Sequence, residues 1–275
     1  MQGRQPLSPP QHTEAPEREY VALPLHGVTL GGHPHHARHS VYKVKSCRMT
    51  DSHARSLESV VQDMLPSHCA TGCTLVGNDE TSPYLEERNQ VQGYAANRMN
   101  ECFAGRRAAR RVVNAMGASP LLYRQGFGGE PIWPQGFIGS ITHTGRVALA
   151  VAARSSTAHS IGVDFEVEQT IPTDQWDIIL HPSEIAQSGS LHLLVGARSP
   201  ASFSPQRRTF HKMQYKTTCG FVDYAEVAME LELDQGLVKV KNIPRSRKLD
   251  SLNCFHIEGR HKVVEGHTLT AFTAK

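Results

Sequence analysis

Three strand-forming stretches follow one another in the middle of the chain, and they constrain its fold more than any other feature. IGSITHT (138–144) is rich in β-forming residues, and VALAVAA (147–153) is a continuous apolar run of strand length. In SIGVDFE (160–166), apolar residues typical of a core are followed by two acids. We interpret 138–144 as one strand and 147–166 as a hairpin with a polar turn near 155–159.

Helical patterns flank these strands. In the longest of them, apolar residues recur at helical spacing and Gly117 fits a C-terminal cap, while Gly105 can bend the helix or divide it. The Gly- and Pro-rich stretch 121–137 is predicted to be an ordered loop, and the segment after about residue 220 alternates like strands. The predicted helices cover 51–66, 86–117, 175–187 and 206–216.

The length of 275 residues suits one large domain or two of about 130 residues each. The mixture of helices and strands predicts an α+β (α/β) fold. We predict an N-terminal half at 20–145 and a C-terminal half at 146–275, the latter carrying the site. Residues 1–19 are rich in Pro, Gln, Glu and Arg, a composition typical of a disordered tail.

Composition excludes several classes of protein. The net charge of +3 is too small to indicate a nucleic-acid surface, but it suits an anionic ligand or an acidic partner protein. No apolar run approaches the roughly 18–20 residues of a membrane span. The six cysteines are scattered, and the start of the chain lacks the apolar stretch of an export signal. We therefore expect reduced thiols and a cytoplasmic location.

The acids of SIGVDFE are the first candidate site. Residues i and i+2 of a strand point to the same face, so Asp164 and Glu166 lie side by side while Phe165 turns into the core. Adjacent carboxylates raise each other's pKa, and a hard divalent cation such as Mg²⁺ removes that conflict. The alternative is a solvated strand end without a ligand.

A second polar group lies about twenty residues upstream, in GSITHTG (139–145). Gly139 allows a ligand to approach closely, and Ser140, Thr142 and His143 offer donors and acceptors that suit phosphate oxygens. A purely structural role for these side chains is the alternative. The preceding helix carries a run of basic residues, which forms either a solvated face or an anion-binding face: Arg98, Arg106, Arg107, Arg110 and Arg111.

Taken together, three motifs resemble the 4′-phosphopantetheinyl transferase superfamily, and most closely its enterobactin synthetase component D group. They are FAGRRAARRVVNAMG (103–117), GGEPIWPQGFIGSITHTG (128–145) and SIGVDFE (160–166). The resemblance covers roughly residues 85–260. It implies two similar α/β subdomains related by a pseudo-twofold axis, with coenzyme A and Mg²⁺ at their interface.

The resemblance also implies an activity. Such enzymes move the 4′-phosphopantetheine arm of coenzyme A onto a serine of an acyl- or peptidyl-carrier domain and release adenosine 3′,5′-bisphosphate. The expected pathways are siderophore, nonribosomal-peptide or polyketide synthesis. We expect a monomer that binds no nucleic acid.

Individual roles follow from the matched motifs. Asp164 and Glu166 would hold Mg²⁺, and Lys212, in KMQYKTTCGFVDY, would bind phosphate; these three would be the catalytic residues. The implied coenzyme A ligands, besides Lys212, are Arg106, Ser140 and His143.

The chain departs from the family pattern at one position. The motif F-(S)-x-KE-x-x-x-K, aligned on Lys212, puts Arg208 where the family has a third acid. Three explanations are open: Arg208 points away while Glu184 or water completes the metal shell, Arg208 replaces part of the cation's role, or the chain is a weakened relative. The alternative function is therefore a homologue that binds coenzyme A or carrier proteins without transfer. The role of the His-rich segment 26–39 is open.

Overall fold

The described part of the chain contains a three-stranded and a five-stranded antiparallel sheet with helices packed against them, and a separate two-stranded sheet. The computed structural model describes residues 50–119, 122–167, 173–191, 203–232, 234–243 and 250–275. The predicted tail 1–19, the predicted strands between 20 and 49 and the His-rich segment 26–39 lie outside the described residues. All described residues belong to one unit, 47–275.

Helices and strands follow one another in groups along the described ranges. The helices are α1 (Asp51–Met64), α2 (Leu85–Gln90), α3 (Ala96–Ala115), α4 (Trp176–Ile179), α5 (Pro182–Leu191) and α6 (Phe203–Thr218). The strands are β1 (Cys69–Leu75), β2 (Arg124–Gln125), β3 (Pro131–Ile132), β4 (Phe137–Thr144), β5 (Val147–Arg154), β6 (Ser160–Val167), β7 (Ala228–Glu232), β8 (Leu237–Asn242), β9 (Ile257–Val264) and β10 (His267–Ala274). The mixed α/β class predicted from the sequence is confirmed.

The first sheet has the order β1-β5-β4, so the apolar run of β5 lies at its centre. Side chains on one face of β5, such as Leu149 and Val151, pack in a cluster with Leu57 and Val61 of α1. Those on the other face, such as Ala150, pack with α3. Both faces of β5 are therefore covered, which explains why its sequence is apolar throughout instead of alternating.

The second sheet has the order β6-β10-β9-β8-β7, and α6 packs on β6 and β10. Gly162 of β6 allows this helix to approach closely, because a Cβ there would collide with the Thr209 carbonyl of α6. Gly72 of β1 meets Val112 of α3 in the same way. Each sheet therefore places one long helix against a strand glycine, although the sheets contain three and five strands. The pseudo-twofold relation stays a prediction.

The predicted hairpin at 147–166 is wrong. β5 pairs with β1 and β4, whereas β6 pairs with β10, so the turn at 155–159 carries the chain from one sheet to the other. β5 lies between β4, which directly precedes it, and the more distant β1, while β6 pairs with β10 near the end of the chain. The domain division at 145/146 stays a prediction, but the change of sheet falls after Arg154.

The long helical pattern at 86–117 forms two helices, α2 and α3, and the break lies at 91–95. Gly93 has a φ of 86°, a left-handed conformation that favours glycine. Gly105, the residue expected to bend or divide the helix, lies buried within α3, where a Cβ would meet the Ile141 side chain. Its small size serves the packing of α3 on the sheet. None of the helices in the described ranges is long and apolar enough to cross a membrane.

Candidate active site

The two predicted acids lie at the end of β6, where the two sheets meet. Asp164 is 2% exposed, and the Glu166 side chain is about one-third exposed. Both carboxylates face the basic side chains of α6, while Phe165 between them is buried in the core. The alternation of a β-strand therefore places the acids as a pair, as the sequence pattern predicts.

Two basic residues of α6, one helical turn apart, contact this pair. Lys212 Nζ lies 2.8 Å from Asp164 Oδ1, and it also donates to the carbonyls of Val163 and Ile141. Arg208 Nη2 bridges the acids, at 2.9 Å from Asp164 Oδ2 and 2.7 Å from Glu166 Oε1. The four side chains form a cluster with two negative and two positive charges.

The protonation of the two acids differs because their surroundings differ. Burial by itself raises the pKa of Asp164, but Lys212, Arg208 and a 3.0 Å hydrogen bond from Thr142 Oγ1 outweigh it and hold that pKa below its ordinary value. Burial raises the pKa of Glu166, and Arg208 offsets only part of the rise. Asp164 is thus the fixed anion, and Glu166 is the better proton acceptor.

Asp164 Oδ2 lies close to Arg208, yet it accepts no aligned hydrogen bond in the described part of the chain. The 2.9 Å separation makes this contact an ion pair, but the guanidinium N–H does not point at the oxygen. A buried carboxylate oxygen without a directed donor has room in its bonding for a ligand.

The explanation in which Arg208 points away from the acids is wrong for this structure. Glu184, the suggested substitute, is 1% exposed and forms an ion pair with Arg207. Its Oε1 also accepts a 2.7 Å hydrogen bond from the Met229 amide. This carboxylate therefore belongs to a structural ion pair between α5 and α6, because burial leaves Arg207 dependent on it.

His143 lies at the end of β4, next to the start of α3. Arg98 Nη1 is 2.6 Å from His143 Nε2, and Glu101 is 3.3 Å from its Nδ1. Burial, with the positive charges of Arg98 and Lys212, lowers the pKa of His143 to about 3. The imidazole is therefore neutral at pH 7. Its Nε2 accepts from Arg98, so its one N–H is on Nδ1 and faces Glu101.

Arg98 is the site residue that the sequence did not single out. Its side chain is 51% exposed, and it joins His143 and Glu101 at the edge of the cluster. The available signal was the run of arginines on the preceding helix, but five arginines share that signal. Only the packing of α3 beside β4 distinguishes Arg98 from the others.

Ser140 and Thr142 connect the two sheets. Ser140 Oγ accepts a 3.1 Å hydrogen bond from the Val163 amide, and Thr142 Oγ1 accepts one of 3.2 Å from Phe165. These bonds satisfy amides on the free edge of β6 and place the acids next to β4. The predicted nucleotide contact of Ser140 stays a prediction.

Gly139 has a packing role that the sequence did not predict. A Cβ at this position would collide with the Trp133 ring and with the Val151 carbonyl. The close neighbour is therefore an aromatic side chain of this chain, where we expected a ligand.

Arg106, the predicted phosphate ligand, lies in a different cluster. Its guanidinium is buried and donates to the Glu87 carbonyl at 3.1 Å and to Gln90 Oε1 at 2.8 Å. Burial also lowers the pKa of Arg106. These contacts favour a structural role, and the phosphate role stays a prediction.

The acid pair fits a magnesium ion on one condition. The described ranges contain no group of three or more His, Cys, Asp or Glu placed to hold a metal. Mg²⁺ needs only one or two protein carboxylates, because water and substrate phosphates complete its shell. Asp164 and Glu166 supply these, and Asp164 Oδ2 lacks a directed donor. The condition is that Arg208 leaves the position between them.

One family model and several known proteins match parts of this chain. A model of the 4′-phosphopantetheinyl transferase N-terminal domain matches residues 86–153. A 4′-phosphopantetheinyl transferase of Mycobacterium tuberculosis is 34% identical over 105 residues, which is 38% of this chain and 46% of that relative, less than half its length. One of Nocardia iowensis is 23% identical over 77% of this chain and 98% of the relative.

A further relative matches about half of this chain. Enterobactin synthase component D of Escherichia coli O157:H7 is 31% identical over 145 residues, which is 51% of this chain and 67% of that protein. The superfamily predicted from the three sequence motifs is therefore confirmed. The chain belongs to the 4′-phosphopantetheinyl transferase family.

Proposed function

We propose that this chain transfers the 4′-phosphopantetheine arm of coenzyme A to a serine hydroxyl of an apo acyl- or peptidyl-carrier domain. The second product is adenosine 3′,5′-bisphosphate. The relatives support this activity, since they are named 4′-phosphopantetheinyl transferases and enterobactin synthase component D. The enterobactin relative also supports carriers of siderophore or nonribosomal-peptide synthesis.

The observation that carries the proposal is the cluster at the junction of the sheets. Asp164 is a buried carboxylate whose two oxygens differ. Oδ1 accepts a hydrogen bond from the Lys212 ammonium, whereas Oδ2 has no directed donor in the described residues. Lys212 and Arg208 are each about one-third exposed, so their positive charges can reach an anion at the surface. A diphosphate with a magnesium ion would use both kinds of charge, because its phosphates would contact the positive side chains and the ion would contact the carboxylate.

Different side chains of the cluster would bind different parts of coenzyme A. Lys212, held by two carbonyls and by Asp164, would contact the diphosphate of coenzyme A. Arg98 is exposed and can bind a phosphate of the nucleotide end, and His143, which accepts a hydrogen bond from it, would hold the guanidinium in place. Magnesium held by Asp164 and Glu166 would supply further positive charge to the diphosphate.

The reaction forms a bond from the carrier serine oxygen to the β-phosphorus and breaks the bond from that phosphorus to the bridging oxygen. Negative charge grows on the bridging oxygen as it leaves, and Lys212 is placed to offset that charge. The serine proton must go to a base. We assign that step to the Glu166 oxygen that would not hold magnesium, because this side chain is partly exposed.

The alternative function is a homologue that binds coenzyme A or carriers without transfer. The relatives give it no support, because those named above carry the name of a transferase or of a synthase component. Arg208 is the only reason to consider it, and its contacts with both acids are compatible with transfer if Arg208 moves when substrate binds.

The test is transfer to a purified carrier. The chain is incubated with coenzyme A, MgCl₂ and several apo carrier proteins, and each carrier is weighed by mass spectrometry. We expect a gain equal to one phosphopantetheine arm. Asp164→Asn should abolish the gain, whereas Asp63→Asn, an exposed acid on α1, should leave it unchanged. No gain with any carrier, or full activity of Asp164→Asn, would reject the proposal.

We also propose that the protein is cytoplasmic and monomeric. The five cysteines in the described ranges are free thiols, which suits a reducing compartment. Burial raises the pKa of Cys69 to about 11, so this thiol is also unreactive. Size-exclusion chromatography with light scattering tests the monomer.

A further inference from the structure

Arg208 lies where a divalent cation would have to bind. Its Nη2 is within 3 Å of one oxygen from each acid, 2.9 Å for Asp164 and 2.7 Å for Glu166. A single nitrogen between two carboxylates takes the place that a metal ion would take between the same two oxygens. The occupant of this position in the described structure is thus part of the chain itself.

We propose that Arg208 competes with the divalent cation for Asp164 and Glu166, so that the metal binds well only when a diphosphate draws Arg208 away. The inference rests on the proposed function, since it assigns a diphosphate ligand and a metal to the same cluster. Arg208 would then link the binding of the metal to the binding of the diphosphate.

The charges of the cluster support competition. Asp164 and Glu166 contribute two negative charges, and Arg208 and Lys212 contribute two positive charges within ion-pair distance. A cation that approaches the occupied cluster therefore meets no net negative charge. Removal of Arg208 leaves a net charge of minus one and frees one oxygen on each acid, which favours a divalent ion.

The two basic residues differ in how firmly they are held. Lys212 donates to Asp164 and to two backbone carbonyls, so all three of its donors have partners. Arg208 forms two ion pairs through one nitrogen, and its buried Nε has no hydrogen-bond partner in the described residues. Arg208 is therefore the side chain that can move, and it keeps an unused donor.

A diphosphate is a suitable second partner for Arg208. The guanidinium can donate two parallel hydrogen bonds to phosphate oxygens, and such a contact would also use Nε. The move would exchange contacts with two acids for contacts with the phosphates, and it would free both acids for the metal. Because such coupling is reciprocal, the metal would strengthen coenzyme A binding by the same factor.

The experiment measures binding of Mn²⁺, used as the probe ion, by electron paramagnetic resonance and by calorimetry, without any carrier protein. We expect weak Mn²⁺ binding to the wild-type chain alone and binding at least about tenfold tighter for Arg208→Gln, since one opposing charge is gone. Asp164→Asn in the Arg208→Gln background should remove this site. Arg107→Gln, which removes the same charge from an arginine paired with Glu80, should leave the wild-type affinity unchanged.

Coenzyme A provides the second half of the test. It should tighten Mn²⁺ binding to the wild-type chain by at least about tenfold and should have a smaller effect on Arg208→Gln, in which the acids are already free. Binding of Mn²⁺ to coenzyme A in solution is measured separately and subtracted. Arg208→Lys retains the charge and should retain weak binding, and thermal melts of all variants confirm that they are folded.

The inference would be overturned if the wild type and Arg208→Gln bound Mn²⁺ with equal affinity, both in the absence and in the presence of coenzyme A. It would also be overturned if Arg208→Gln had no Mn²⁺ site that depends on Asp164. Neither result affects the mass gain of a carrier protein, so the proposed function can survive them. Conversely, the expected Mn²⁺ pattern without any carrier mass gain would reject the transfer and leave the competition in place.

Discussion

Two buried carboxylates, Glu87 and Asp164, lie next to basic side chains, but only one of them is fully bonded. Glu87 Oε1 accepts 2.7 Å hydrogen bonds from Arg110 and from the Tyr123 amide, and its Oε2 accepts one from Ser82. Asp164 has aligned hydrogen bonds on Oδ1 alone. Both acids are almost completely buried, so burial does not distinguish them.

The basic side chains around the two acids differ in how exposed they are to solvent. The side chains of Arg106 and Arg110 near Glu87 are 7% and 12% exposed, whereas those of Arg208 and Lys212 near Asp164 are 32% and 33% exposed. The Glu87 cluster is closed to ligands, and its arginines depend on Glu87. The Asp164 cluster is open on one side. A buried acid is thus a site only when its counter-charges can also reach the solvent.

The largest expected effect compares the two acids by stability. Glu87→Gln removes the negative charge beside the buried Arg106 and should lower the free energy of unfolding by about 3–5 kcal/mol. Asp164→Asn should lower it by less than about 1 kcal/mol, because Arg208 can turn to water and Lys212 keeps two backbone carbonyl acceptors. Urea unfolding measures both values. Equal losses for the two variants would remove the distinction between the clusters.

The second prediction concerns pH and His143, at the edge of the open cluster. Its pKa falls from 6.5 to about 3 on folding, so below pH 6.5 the unfolded chain binds a proton that the folded chain does not. Stability should therefore decrease as the pH falls, by up to about 1.4 kcal/mol per pH unit for this group. His143→Asn should flatten the slope by that amount between pH 6.5 and about 5. An unchanged slope would contradict a neutral, buried imidazole.

The smallest expected effect compares two arginines of α3. Arg98→Gln should raise the KM for coenzyme A by about tenfold, because it removes one charged phosphate contact. Arg106→Lys should lower the melting temperature and leave that KM unchanged, since Arg106 is bonded to Glu87 and Gln90. Steady-state transfer assays and thermal melts measure these values. A higher KM for Arg106→Lys with normal stability would support the phosphate role predicted from the sequence.

Much of the fold was predictable because its signals are local. The helix predicted at 51–66 is α1, and the helix predicted at 206–216 lies within α6. The buried strand at 147–153 is β5. The partner of β6 was not predictable, since the β6–β10 pair joins residues about a hundred positions apart. The hairpin prediction failed because closeness in sequence was taken as closeness in the sheet.

The sequence by itself determined the family, through the order and spacing of three motifs, and it determined that Asp164 and Glu166 share one face, because the period of a strand is a local property. Only the tertiary structure decided that Arg208 and Lys212 meet these acids, that Arg98 joins His143, and that Arg106 is buried with Glu87. Each of these contacts joins side chains on different helices or strands. Long charged side chains find their partners only after the sheets and helices have packed, so their spacing in the sequence does not reveal which acid they will meet.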